Sequence, residues 1–200
     1  THLVTDIQHA TFDTDTNGLT PVAPQRLLDT REGAGKLTPG TEQRVSIDGV
    51  AGVFNLTVTE PTAAGYIVAY PCGGDVPWVS NLNYLEHQTV ANTATVAAGD
   101  NGQVCFRSLV DTHLIVDLTG TYGPDGAKPT AGAPYRVLDT RDAGGRITGG
   151  EIVEVDLGAD GAAAALVNVT VTEPLAPGYI TAWACGDDQP FTSNVNYQPW

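Results

Sequence analysis

From Phe54 to Thr59 the chain alternates strictly. Phe54, Leu56 and Val58 are apolar, and Asn55, Thr57 and Thr59 stand between them. A period of two belongs to a strand with one buried face and one wetter face. The same pattern returns with Val167, Val169 and Val171 alternating with Asn168, Thr170 and Thr172. Shorter alternating or apolar runs predict further strands, giving 43–48, 52–60, 65–71, 79–84, 91–97, 103–109 and 112–119, with no helix. Asp100, Asn101 and Gly102 fall between two of these runs, and Asn-Gly predicts a tight hairpin there. Short strands packed this densely predict an all-β chain, a β-sandwich of immunoglobulin-like or jelly-roll-like type.

The alternation recurs because the chain repeats itself. PQRLLDTREGAGKLTPG (Pro24 to Gly40) returns as PYRVLDTRDAGGRITGG (Pro134 to Gly150). NLTVTEP, GYI and SNLNY, within Asn55 to Tyr84, return as NVTVTEP, GYI and SNVNY within Asn168 to Tyr197. The offset grows from 110 to 113 across the loop Gly158 to Ala165, where an insertion costs little. A third echo joins the first seven residues, THLVTDI, to THLIVDL at Thr112 to Leu118.

This self-similarity divides the chain into five parts. Residues 1–12 read as the terminal strand of a preceding repeat, and 24–122 as one complete sandwich. Residues 134–200 read as the first two-thirds of another. Segments 13–23 and 123–133 are Gly-, Pro- and Thr-rich linkers. The second repeat has no counterpart of residues 88–111 or of the closing strand within this sequence. Either more chain exists, or another copy supplies strands. The strand Thr1, His2, Leu3, Val4, Thr5, Asp6, Ile7 is then the obvious donor, and such a contact propagates head to tail into a filament. The sequence contains no methionine and no leader, so a processed product or a fragment is expected.

RLLDTR, NLTVTEP, GYI, SNLNY, TVANTATV and HLIVDLTGTY, in that order, resemble the tandem extracellular repeats of actinobacterial secreted and cell-surface proteins. The resemblance covers the whole chain in one full and two partial copies. It implies β-rich surface modules set in arrays, with no assigned chemistry. DIQHATF (Asp6 to Phe12) departs from the family's ending phrase, which stands as DLTGTY at Asp117 to Tyr122.

Composition narrows the partners. Twenty-three acidic residues against 9 basic ones give a formal charge of -14. That surface repels phosphate backbones and anionic lipid, so nucleic acid is an unsuitable partner. No apolar run is long enough for membrane insertion. Neighbouring copies of the same module, and surface glycans, remain as partners. Of three cysteines, Cys72 and Cys105 fall in one repeat, and a bond between them closes a loop of 33 residues. Cys185 is the counterpart of Cys72. Three free buried thiols are the alternative. A disulfide implies an oxidising compartment, and so a secreted or cell-surface location.

Several groups could carry function. LDTR occurs twice, with Arg26, Asp29 and Arg31 matched by Arg136, Asp139 and Arg141. Asp29 and Arg31, two apart on an extended chain, point the same way. Asp117, inside an apolar strand, needs a partner, and Arg26 or Arg31 can supply it. The expectation is an internal polar clamp, with an arginine anion site as the rival. Asp13, Asp15 and Asn17 precede Gly18 as in the first half of a calcium loop, but Pro24 stands where the bidentate acid belongs. Calcium is thus the one cofactor this pattern suggests. Trp78, Asn81, Asn83 and Tyr84, matched by Phe191, Asn194, Asn196 and Tyr197, could form an aromatic and amide platform for a sugar. The rival is that the aromatics fill the core and the amides satisfy turns. Asn55-Leu56-Thr57 and Asn168-Val169-Thr170 have the form of glycosylation sequons. No nucleophile motif, metalloprotease helix or phosphate loop is present. The expected role is non-enzymatic: a structural module of a stalk, fibre or surface filament. A glycan-binding adhesin and an accessory domain of a secreted hydrolase are the alternatives.

Overall fold

A computed structural model describes residues 17–99, 101–128, 135–142, 144–158, 161–162 and 164–199. The described chain is all-β. Ten strands are present: β1 Gly18–Asp29, β2 Gln43–Ser46, β3 Ala51–Thr59, β4 Gly65–Pro71, β5 Leu82–Tyr84, β6 Val90–Ala97, β7 Gln103–Ser108, β8 His113–Gly123, β9 Gly178–Ile180 and β10 Val195–Tyr197. One 3-10 turn, Thr30–Glu32, follows β1.

Eight strands form two antiparallel four-stranded sheets, ordered β1-β8-β3-β6 and β2-β7-β4-β5. The chain changes sheet at nearly every connection, which is the connectivity of a jelly roll rather than of an immunoglobulin sandwich. Inward-facing side chains of both sheets make one core. Phe54, Leu56, Val58, Leu114 and Val116 come from the first sheet, and Val45, Ile67, Val104 and Phe106 from the second. Phe54 and Phe106 meet edge to face at 6.0 Å between centroids, the geometry that aromatic quadrupoles favour. Leu37, in the connection after β1, is fully buried and pairs with Thr112 through backbone bonds of 2.8 and 3.1 Å.

The seven strands expected from the pattern are all present, with ends shifted by up to four residues. Three features differ. First, β1 was not expected as a strand, and it begins at Gly18, inside the segment read as a linker. Gly18 pairs with Gly123, and Leu19 and Ala127 exchange backbone bonds of 2.8 and 2.9 Å. The chain therefore enters and leaves this unit side by side. A Cβ on Gly18 would stand 2.0 Å from the Gly126 carbonyl oxygen, so only glycine permits that approach. Second, residues flanking Asn101-Gly102 do not join paired strands. The segment carries the chain from β6 in one sheet to β7 in the other. Gly102 takes the positive φ of 72° that the turn requires, so the turn signal is real but its hairpin is not. Third, both faces of β3 are buried rather than one, because Asn55 and Thr57 are each only 2% exposed.

No second sandwich is present among the described residues of the second repeat. Among its described residues only β9 and β10 are strands, paired from Val195–Ile180 to Tyr197–Gly178. They are the counterparts of β4 and β5. The counterpart of β3, residues 164–172, is not a strand. In the first repeat β3 is hydrogen-bonded on both sides, to β6 and β8, and no counterpart of either lies among the described residues. By its contacts Val169–Trp200 belongs with the first repeat, whereas Pro129–Asn168 forms a separate unit. In that separate unit Ile147 is 43% exposed where its counterpart Leu37 is fully buried, and Val167 is 49% exposed where Phe54 is fully buried.

Candidate functional site

The outward face of the first sheet carries a polar row. Register aligns Arg26 with Asp117, Asp117 with Asn55, and Asn55 with Thr93, across all four strands. A bulge in β1 between Arg26 and Leu28 opposes two residues to one on β8. It turns Arg26 and Asp29 to the same side.

The clamp predicted from LDTR is built on this row. Arg26 donates from Nε to Asp117 Oδ1 at 2.9 Å and from Nη2 to Oδ2 at 3.2 Å, a bidentate pair. Its Nη1 reaches Asp29 Oδ2 at 3.4 Å. Asp29 also accepts from the Arg31 backbone N–H at 3.1 Å and from Arg31 Nε at 2.8 Å. Asp29 and Arg31 therefore meet around the 3-10 turn that Asp29 caps, not along an extended chain as expected. Arg31 is the partner of Asp29, and Arg26 is the partner of Asp117. The side chains of Asp29 and Asp117 are 2% and 1% exposed.

Environment separates these two carboxyls. Hydrogen bonding from Arg31 holds Asp29 below the usual carboxylate range. Burial pushes Asp117 above its ordinary value, against the pull of Arg26. Thr30, fully buried, completes the corner. Its Oγ1 accepts from the Leu114 N–H at 2.9 Å and lies 3.0 Å from His113 Nδ1. Sequence reasoning passed over Thr30, although its presence in both LDTR copies was a signal.

The second repeat forms the local half of the same clamp. Arg136 Nη1 donates to Asp139 Oδ2 at 2.8 Å, and Arg141 donates from Nε and Nη2 to Asp139 at 2.9 and 2.6 Å. Those bonds draw the Asp139 carboxyl well below its ordinary range.

The polar row of the first repeat is covered by residues of the second. Asn55 Nδ2 donates to the Ser193 carbonyl. Thr192 is buried. The Phe191 ring lies 5.7 Å from the Arg26 guanidinium carbon, within cation–π reach. No motif in the sequence points directly to this contact. Its only trace is the pair of amide and hydroxyl residues, Asn55 and Thr57, on the wet side of a central strand.

The residues of the expected sugar platform are dispersed. Asn81 is buried, and its Oδ1 accepts from the Ala69 N–H at 2.8 Å. Tyr84 is buried, with its hydroxyl 2.6 Å from Ser108 Oγ. Asn194 repeats the role of Asn81 toward Ala182 at 2.8 Å. Asn83 and Asn196 donate to Ser80 and Ser193 at 3.0 and 3.1 Å. Tyr197 is half-buried in β10. Of the aromatics only Trp78 and Phe191 stand out, 99% and 86% exposed, and Asn83 is exposed as well. Trp78 borders a shallow hollow with Tyr66, Val68, Val76 and Pro77. The Asn55 sequon is closed to modification by burial.

Cys72 and Cys105 form a disulfide with Cα atoms 5.0 Å apart. It stands on the outward face of the second sheet, in a small cluster with Val68 and Tyr70. Cys185 is an exposed thiol. A polar cluster that the sequence did not announce lies on that sheet too. Glu42 accepts from the Tyr70 hydroxyl and from Arg44 Nε at 2.9 Å. The Tyr70 bond lowers the Glu42 carboxyl, while burial raises the Tyr70 phenol. Asp13 and Asp15 of the calcium reading, and the donor strand Thr1–Ile7, lie outside the described residues, and Asn17 is at their edge. Among the described residues no cluster of three or more His, Cys, Asp or Glu is placed to hold a metal ion, and no helix is long and apolar enough to cross a membrane.

No family model matches this chain, and neither the curated proteins nor the solved structures include one significantly similar to it.

Proposed function

We propose that this chain is a non-enzymatic, extracellular structural part of a tandem-repeat stalk, fibre or surface filament. In this reading its β-sandwich modules dock on one another, and copies join head to tail by strand complementation. One observation carries the reading: the outward polar face of the first repeat is occupied by residues 191–193 of the second. The charged side chains of LDTR are turned toward each other and toward that contact, not toward a cleft. Repetition with neighbour-to-neighbour contact is how extended arrays gain stability. The disulfide fits an oxidising, secreted setting. The acidic surface, with a charge of -14, keeps unassembled copies soluble.

Sedimentation velocity over a wide concentration range tests the reading. The 200-residue chain is expected to show a concentration-dependent series of oligomers, elongated in negative-stain micrographs. Monodisperse monomers at every concentration, with residues 1–12 cut readily by protease, would reject assembly by strand complementation.

The 99% exposure of Trp78 supports a second reading, a glycan-binding adhesin. An exposed side chain with few contacts contributes little to folding. Trp78→Ala is therefore expected to change stability by less than about 0.5 kcal/mol. If the same variant also loses retention on a glycan array that holds the parent chain, the adhesin reading gains. Equal retention removes it.

A further inference from the structure

In the first repeat the clamp has two sources. Arg26, Asp29 and Arg31 are local to one corner, and Asp117 is delivered by β8. In the second repeat the local part is assembled on the same pattern. The Arg136 side chain there is 70% exposed, against 21% for Arg26. Tyr135, Val137 and Leu138 beside it are 69%, 44% and 40% exposed. The local hydrogen bonds of the corner are thus in place, while the apolar side chains beside it stay exposed.

We propose that the segment 135–140, the counterpart of the end of β1, receives Thr1–Ile7 of a second copy of this chain, with Asp6 on the Arg136 guanidinium. This rests on the strand-complementation reading above and gives it a register. Alignment of THLVTDI with THLIVDL puts Asp6 at the position of Asp117 and His2 at that of His113. The β1–β8 register carries over directly. Arg26 opposite Asp117 becomes Arg136 opposite Asp6, Leu28 opposite Val116 becomes Leu138 opposite Thr5, and Asp29 opposite Ile115 becomes Asp139 opposite Val4.

A second match falls four residues away. Thr30 bonds His113 and the Leu114 N–H. Thr140 stands at the position of Thr30, ready for His2 and the Leu3 N–H. A slip of one residue would break both matches and turn every side chain of the strand to the wrong face. The incoming strand thus brings an acid for an exposed arginine, an imidazole for a threonine and apolar groups for an exposed apolar segment. The contact pairs two different surfaces of the chain, so it is heterologous and propagates.

Cysteine trapping across copies tests the register. One chain carries Thr5→Cys and the other Leu138→Cys, both with Cys185→Ser. Oxidised dimers are expected only in the mixture. With both cysteines on one chain, a ladder of cross-linked oligomers is expected, and cross-linked monomers would overturn the assignment to a second copy. Asp6→Arg or Arg136→Asp alone is expected to weaken self-association at least about thirtyfold, as loss of one partner of an interfacial charge pair does. The two substitutions together in one chain restore it.

Self-association that persists through both single substitutions, with no mixed dimer, would overturn this segment and register while leaving strand complementation standing. Absence of self-association in the parent chain would overturn both.

Discussion

Replacing Arg26 with alanine is expected to destabilise the first repeat by about 3 kcal/mol or more, the usual cost of stranding one member of a buried ion pair. The effect comes from what is left behind. The Asp117 carboxylate, 1% exposed in the middle of a central strand, loses both guanidinium donors, and its burial already disfavours the charged form. Arg26→Lys keeps the charge but not the planar fork, so it should fall between parent and alanine. Leucine at both Arg26 and Asp117 should be less harmful than either single loss, because no charge is then stranded. Urea unfolding midpoints of the four chains measure the order. If Arg26→Ala melts like the parent, the clamp is not a stability element. The loss should be felt locally first, where β1 separates from β8, since that pairing holds the entering and leaving chain together at Gly18 and Gly123.

Removing the disulfide should have a comparable effect by a different route. Cys72 and Cys105 close a loop of 33 residues. Loop entropy assigns such a bond roughly 3–4 kcal/mol, acting chiefly on the unfolded chain. Alanine at both cysteines is therefore expected to lower the melting temperature on the order of 10–20 °C. The loop it closes contains β5 and β6, one strand of each sheet. Calorimetry of the parent with and without reductant makes the same comparison without mutation. An unchanged transition would mean that the bond lies outside the cooperative unit.

Much of the fold was legible because its signals are local. Alternation over Phe54 to Thr59 identified β3, and the repeated phrases located its equivalents. The clamp could be read because a charge inside HLIVDL demands a partner, and LDTR offers two arginines. β1 escaped because its first half, Gly18 to Pro24, has two prolines and a turn-like composition. Its strand form comes from pairing with β8 about a hundred residues away, a non-local cause that a short window of sequence does not contain. The Asn101-Gly102 signal named a turn correctly and could not say which sheet the chain would enter next.

The docking face was the least legible part. Asn55 and Thr57 look like the wet side of an ordinary strand, yet both are buried, and Asn55 is bonded to Ser193 of the second repeat. The second repeat shows the same limit from the other side. Its pattern is that of the first, yet among the described residues no strand pairs with its β3 counterpart and the pattern does not become strand. Alternation specifies which face a strand would bury, whereas neighbouring strands determine whether it forms at all.

The central claim is that repeats hold one another through the face that carries Arg26, Asp117 and Asn55. Amide hydrogen exchange over Gly178–Tyr197 tests it most directly. A hairpin with strands of three residues has little stability alone, so protection there reports docking. The account predicts slow exchange at Asn194 and along β9 and β10 in the parent chain. It also predicts a marked acceleration in Asn55→Ala, with exchange in β4 and β7 unchanged. Exchange of that hairpin at the unprotected rate in the parent chain would contradict it.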